Sequence, residues 1–249
     1  MKNPLKEKLS KGETVIGTLV GLGHPDVTEI LSRIGFDYIV LDGEHSCLSL
    51  ETMQKLIQAM NGSNCVPIIR PQWNDMVVIK RVLDLGAYGL LIPWINTKKD
   101  AEYAVTSCRY PPEGLRGFGP RRASLFDPNY VHTANNEILV IAQIETRQSV
   151  NNLDEILSVP GIDACLIGPF DLALSYGFDA PKWDNPEFME AIDRTVEAAR
   201  KWGKPAGLFV SQDNVQWARK KGFKLILIGT ADFFLMQAAK AALEKARQL

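Results

Sequence analysis

The stretch IVLDGEHSCL, residues 39–48, sets Asp42, Glu44 and His45 within four positions directly behind an apolar run. Two carboxylates and an imidazole at that spacing can bind a cation, hold a basic group or move a proton near neutral pH. A solvated turn would use the same residues, so the rest of the chain has to decide. Comparable endings recur: VPIIRP carries Arg70, IAQIET carries Gln143 and Glu145, and LIGPFD runs through Gly168 and Pro169 to Asp171. Glu145 and Asp171 are the best pair of hard oxygen ligands. Two carboxylates with room for water suit Mg²⁺ or Mn²⁺, and oxygen ligands alone do not rule out Co²⁺ or Zn²⁺. Gln143 precedes Glu145 by two, so both face the same side of a strand. Asp171 has a plainer alternative as the cap of a helix through DLALS. Arg70 ends an apolar strand and needs an anion there. A substrate carboxylate fits its donor fork, and a salt bridge to Glu44 is the alternative. His45 is a candidate base, with Asp84 to orient it if the end of its helix leans toward the loop. The alternative for Asp84, in RVLDLG, is an ordinary acid on a helix surface.

The elements that must position these residues alternate regularly. Short apolar strands are expected at 14–20, 37–42, 66–71, 89–94, 138–145, 163–168, 205–210 and 224–230. Amphipathic helices are expected at 26–35, 49–62, 75–86, 97–110, 149–159, 186–202, 213–222 and 231–248. Asp26 and Ser49 mark helix starts, and Gly35 marks a helix end. Eight βα units predict an α/β chain folded as a closed (β/α)₈ TIM barrel, one domain over 1–249, with an open doubly wound sheet as the alternative. A barrel gathers its chemistry where strands end, and the acids, Arg70 and Gln143 all fall there. The segment 111–136, rich in Gly, Pro and Arg, breaks the rhythm and reads as a long functional loop with one short helix. Within it Arg121 and Arg122 either bind the distal carboxylate or hydroxyls of a substrate or tie the loop to a neighbouring subunit.

Other classes are disfavoured. With 28 basic and 29 acidic residues the chain has no field to hold nucleic acid. No apolar run approaches a membrane span, and MKNPLKEKLS lacks the apolar core of a signal peptide. No GxGxxG or GxxxxGK[ST] stretch supports nucleotide binding. Cys47, Cys65, Cys108 and Cys165 form no CxxC pair, so free thiols in a cytoplasmic protein are expected. Cys47, just past His45, leaves a nucleophilic Cys–His pair as an alternative. A Schiff-base mechanism needs a lysine inside the barrel, yet Lys204 and Lys224 precede their strands and Lys80 sits within a helix.

Taken together, DYIVLDGEHSCLS, VPIIRP, VLDLGAYGLLIPW, RYPPEGLRGFGPRRAS, IAQIET and LIGPFDLALSYG resemble the HpcH/HpaI family of metal-dependent aldolases. The resemblance spans residues 10–235. It implies a pyruvate-type (β/α)₈ barrel whose last helix swaps between subunits of a homo-oligomer, usually a hexamer. It implies a class II aldolase of aromatic or sugar-acid catabolism. Such an enzyme reversibly cleaves a 4-hydroxy-2-oxo acid, of the heptanedioate or 2-dehydro-3-deoxy-sugar-acid type, to pyruvate and an aldehyde through a metal-bound pyruvate enolate. By the same resemblance Glu145 and Asp171 are the metal ligands, Arg70 holds the pyruvate carboxylate and its oxygen, and His45 with Asp84 is the base dyad. Gln143, Gly168 and Pro169 lie at the bound substrate, and the loop with Arg121 and Arg122 shapes the second-substrate pocket, partly across a subunit boundary. Oxaloacetate decarboxylation and citramalyl-type cleavage use the same enolate and stay open. A non-catalytic barrel would have lost rim residues that are intact here. Cys47 and Leu48 replace the Ala and Pro common in the family, and Trp94 and Ile95 stand where many members carry smaller or more polar residues.

Overall fold

In the computed structural model, which describes residues 1–247, eight parallel strands close into a barrel in chain order. They are β1 Val15–Val20, β2 Tyr38–Asp42, β3 Val66–Arg70, β4 Gly89–Ile92, β5 Leu139–Ile144, β6 Ala164–Ile167, β7 Ala206–Val210 and β8 Leu225–Thr230. β8 returns to β1 with Val15 opposite Leu225, which excludes an open sheet. The helices are α1 Pro4–Ser10, α2 Pro25–Ile34, α3 Leu50–Ala59, α4 Met76–Asp84, α5 Lys98–Cys108, α6 Tyr130–Glu137, α7 Arg147–Asn151, α8 Leu153–Leu157, α9 Pro169–Ser175, α10 Pro186–Lys201, α11 Val215–Lys221 and α12 Ala231–Arg247.

The local chemistry explains most boundaries. Ser49 Oγ accepts the Thr52 N–H at 3.1 Å at the head of α3, and Gly35 closes α2 at φ 116°. The expected helix over 149–159 is instead the pair α7 and α8, parted at Asn152. α1 was not anticipated: the Asn3 side chain accepts the Leu5 and Lys6 N–H groups, Pro4 starts the helix, and buried Leu5 and Leu9 join the interior core of the barrel. The long segment at 111–136 holds a 3₁₀ turn, Ala123–Leu125, and then enters α6. Residue 248, expected at the end of the last helix, lies outside the described residues. Among the described residues no helix is long and apolar enough to cross a membrane.

Period-two alternation sorts each strand into two faces. Val15, Tyr38, Val40, Val66, Ile68, Leu139, Ile141, Leu225 and Leu227 fill the barrel, while Ile39, Leu41, Ile69, Leu90 and Ile226 pack outward beneath the helices. Tyr38 is the largest interior side chain. Its hydroxyl donates to the Ile226 carbonyl at 2.9 Å, and its ring occupies the space beside Gly17. A Cβ at residue 17 would lie 2.5 Å from that ring. Gly17→Ala is therefore expected to destabilise the barrel by about 1–3 kcal/mol through overpacking, read as a lower urea midpoint. An unchanged midpoint would mean that the Tyr38 ring has room to withdraw.

Candidate active site

The same alternation carries polar residues to the upper mouth. Two steps beyond Val40 is Asp42, two beyond Ile68 is Arg70, and two beyond Ile141 is Gln143. Asp42 is 4% exposed, and its Oδ1 accepts the Glu44 N–H at 3.0 Å and the His45 N–H at 3.3 Å. That bond pair folds the DGEH turn back over the barrel. Arg70 Nε lies 3.0 Å from the same Oδ1, and its Nη1 lies 3.2 Å from Glu44 Oε2. The salt bridge to Glu44 is thus present, joined by Asp42, while Arg70 Nη2 makes no bond among the described residues. Glu44 Oε2 also lies 3.5 Å from His45 Nε2, yet receives no well-aligned hydrogen bond. Burial pushes the Glu44 carboxyl up to about 7, with Arg70 pulling it down and Asp42 and Asp171 adding to the rise.

Glu145 is 1% exposed, one residue past β5. Its Oε1 accepts the Trp94 N–H at 2.7 Å, and its Oε2 accepts from the Gln143 amide. Trp94 reaches this position at φ 56°, the left-handed conformation unusual for a bulky residue. Gly168, at the end of β6, passes close by: a Cβ there would lie 2.9 Å from Glu145 Oε2. Gly168 is the N-cap of α9 and Pro169 its first residue, so Asp171 sits inside the first turn and is not the cap. The Asp171 carboxylate makes no hydrogen bond or ion pair among the described residues. Burial pushes Glu145 up to about 7, offset by the Gln143 and Trp94 donors and reinforced by Glu44 and Asp171.

The residues fit a hard divalent cation. Asp42 and Glu44 pair with the one guanidinium, Glu44 and Asp171 both act on Glu145, and Gln143 Oε1 is buried without a partner. Among the described residues no three His, Cys, Asp or Glu side chains form a metal cage. Two carboxylates that leave most coordination positions to water and substrate suit Mg²⁺ or Mn²⁺. Beside them a cleft of about 250 Å³ is lined by His45, Arg70, Gln143, Gly168, Pro169 and Asp171 on its polar side.

Three expected participants lie elsewhere. Asp84 is the last residue of α4, which runs back from the mouth, so it sits at the lower end of the barrel and does not orient His45 of its own chain. There it pairs with Arg116 Nη2 at 2.8 Å. Arg122 is also at the lower end, where its Nη1 donates at 2.7 Å to the Leu85 carbonyl that caps α4. A cation at a helix C-terminus is a sufficient reason for its burial. Arg121 is exposed on the same loop. Cys47 is exposed, whereas the thiols of Cys65, Cys108 and Cys165 are buried and pushed up to about 12. Arg116 was not singled out by the sequence. It is 1% exposed, stacks 4.4 Å from the Tyr110 ring centroid and donates to Tyr130 Oη at 3.1 Å. Only the flanking tyrosines distinguish it from the other arginines of its loop.

Comparison with known proteins agrees with this fold. The pattern described as HpcH/HpaI aldolase/citrate lyase matches residues 16–238. A 4-hydroxy-2-oxo-heptane-1,7-dioate aldolase from Salmonella heidelberg (strain SL476) is 38% identical over 246 residues, covering 97% of this chain and 93% of the relative. The crystal structure of an HpcH/HpaI aldolase/citrate lyase family protein from Burkholderia cenocepacia J2315 superposes with a TM-score of 0.94 at 30% identity, covering 99% of this chain and 100% of that one. The citrate synthase SbnG superposes with a TM-score of 0.87 at 28% identity, covering 98% and 97%.

The raised Glu145 carboxyl gives a pH expectation for the cation-free protein. A carboxyl whose folded value lies above its ordinary 4.5 contributes fully below that value and loses its contribution as pH rises toward 7. Between pH 5 and pH 8 the cation-free wild type should therefore lose on the order of 1–3 kcal/mol relative to Glu145→Gln, compared by urea denaturation. Parallel pH profiles for the two proteins would contradict the burial of a titrating acid at this position.

Proposed function

The chain belongs to the HpcH/HpaI aldolase/citrate lyase family and is a carbon–carbon lyase, and on that premise we propose that it cleaves a 4-hydroxy-2-oxo acid to pyruvate and an aldehyde. The observation that carries this reading is Arg70, fixed by two acids with one nitrogen uncommitted, in the same mouth as the desolvated Glu145 carboxylate and Asp171. A divalent cation held by Glu145 and Asp171 would polarise the 2-oxo group and offset the negative charge that grows on its oxygen. The free Nη2 of Arg70 takes the substrate carboxylate and shares that growing charge. Gln143 holds the Glu145 carboxylate through its amide and leaves its own Oε1 buried without a partner. His45 is 59% exposed in its side chain and stands at the rim. It removes the 4-hydroxyl proton as the C3–C4 electron pair passes to C3, which releases the aldehyde and leaves pyruvate enolate. Protonation at C3 gives pyruvate.

The dyad partner and the loop arginine belong to a second copy in this proposal. His45 and Asp84 lie at opposite ends of one barrel, so pairing them needs two chains stacked mouth to base, and Arg121 would arrive with Asp84. α12 is exposed beyond Ala231 and presents Phe233, Leu235, Met236 and Leu243, an apolar face suited to a swapped position on a neighbour. A homo-oligomer, with a hexamer as its size, meets both demands. Three buried free thiols accord with a cytoplasmic setting.

Cation-stripped protein should release no pyruvate from 4-hydroxy-2-oxoheptanedioate, and Mg²⁺, Mn²⁺ or Co²⁺ should restore release. Glu145→Ala and Asp171→Ala should abolish that response while thermal unfolding stays cooperative. Arg70→Ala should lower kcat/KM roughly 100-fold, the scale for losing a donor to a developing oxyanion. Full turnover in any of these variants would remove that residue from the mechanism. Decarboxylation of oxaloacetate without aldol cleavage would move the assignment to a decarboxylase using the same groups.

A further inference from the structure

The cleft at the barrel mouth has two unlike halves. His45, Arg70, Gln143 and Asp171, from the ends of β2, β3, β5 and β6, make one half polar. Leu19 of β1, Phe209 of β7, Leu227 of β8 and Phe170 of α9 make the other half hydrocarbon. Phe170 is 56% exposed and meets Phe209 edge to face, with ring centroids 6.2 Å apart. The hydroxyl on this side is that of Thr230, whose Oγ1 accepts the Phe233 N–H at 3.3 Å. Phe170 immediately precedes Asp171, so the turn that presents the carboxylate also builds the wall.

We infer that this wall selects the substrate's leaving half: the site takes 4-hydroxy-2-oxo acids whose carbon next to C4 is a methylene, alkyl or aryl carbon, and disfavours those bearing hydroxyls there. The inference rests on the aldolase reading above. With the C1 carboxylate at Arg70 and the C3–C4 bond over the carboxylate pair, the atoms beyond C4 fall against Leu19, Phe170, Phe209 and Leu227. A hydrocarbon chain gains from burial against that surface. A hydroxyl on the same carbons is desolvated with little to replace water, which costs more than a missing methylene does. Phe170 and Phe209 are thus specificity-determining residues that take no part in bond cleavage.

The test compares kcat/KM for 4-hydroxy-2-oxohexanoate, 4-hydroxy-2-oxoheptanedioate and a 2-dehydro-3-deoxy-sugar acid with one cation at saturation. The hexanoate, which carries no distal charge, and the heptanedioate should each exceed the sugar acid by at least about tenfold. Phe170→Ser, at an exposed position that the core does not need, should reduce that preference to about threefold or less, and Phe209→Ser should act in the same direction. A wild-type preference for the sugar acid, or an unchanged ratio in both variants, overturns the inference and leaves the aldolase reading standing. Oxaloacetate, which has no carbons beyond the bond that breaks, serves as the control. Pyruvate from oxaloacetate alone, or from none of the four compounds, overturns the aldolase reading and the inference with it.

Discussion

Four neighbouring carboxylates with a single guanidinium that pairs with only two of them is the constraint around which the upper end of this barrel is arranged. Asp42 and Glu44 secure Arg70, and the backbone N–H groups of Glu44, His45 and Trp94 supply further donors to the acids. These contacts do not neutralise the cluster. Burial still drives Glu44 and Glu145 toward the protonated form. A hard cation is the electrostatic complement that such a cluster would accept, and it would relieve the repulsion between Glu145 and Asp171. The left-handed backbone at Trp94 and the bare Cα of Gly168 are the local concessions that let the Glu145 carboxylate occupy its place.

The chain spends its two barrel ends differently. The upper end carries the acids, Arg70 and a cleft open to solvent. The lower end is closed by α1 and by the loop that packs Arg116 and Arg122 against α4. Functional residues in a single chain need not converge, and here the strand-end residues converge while Asp84 and Arg121 do not. In the proposed mechanism, that division makes assembly a chemical matter and not only one of stability.

Much of this was legible in the sequence because strand alternation is a local property. Asp42, Arg70 and Gln143 each follow apolar residues at even spacing, so their place at the mouth follows once the strands are found. The eight strands themselves were bounded by turn residues and fell within two positions of where they were expected. What escaped was non-local. α1 exists because Leu5 and Leu9 cover a barrel end that only the closed fold creates. The base of α4 needed a cation for its carbonyls, and which of several nearby arginines supplies it depends on the path of a loop without periodicity. Asp84 carries the sharpest lesson: its pairing with His45 came from the family resemblance, yet helix direction alone puts it far from His45 in the same chain.

The Arg116 clamp has a consequence for how this chain can diverge. One guanidinium, sandwiched by Tyr110 and bonded to Tyr130 and Asp84, holds the loop to the barrel from within. Leu115, Phe118, Leu125 and Phe126 stand outside that clamp, each more than half exposed. Their identities are therefore released from the selection that acts on folding. The loop can accumulate substitutions on its outer side at the pace set by whatever it meets, while the scaffold beneath stays fixed. A family built on this plan can change its acquaintances without relearning how to fold.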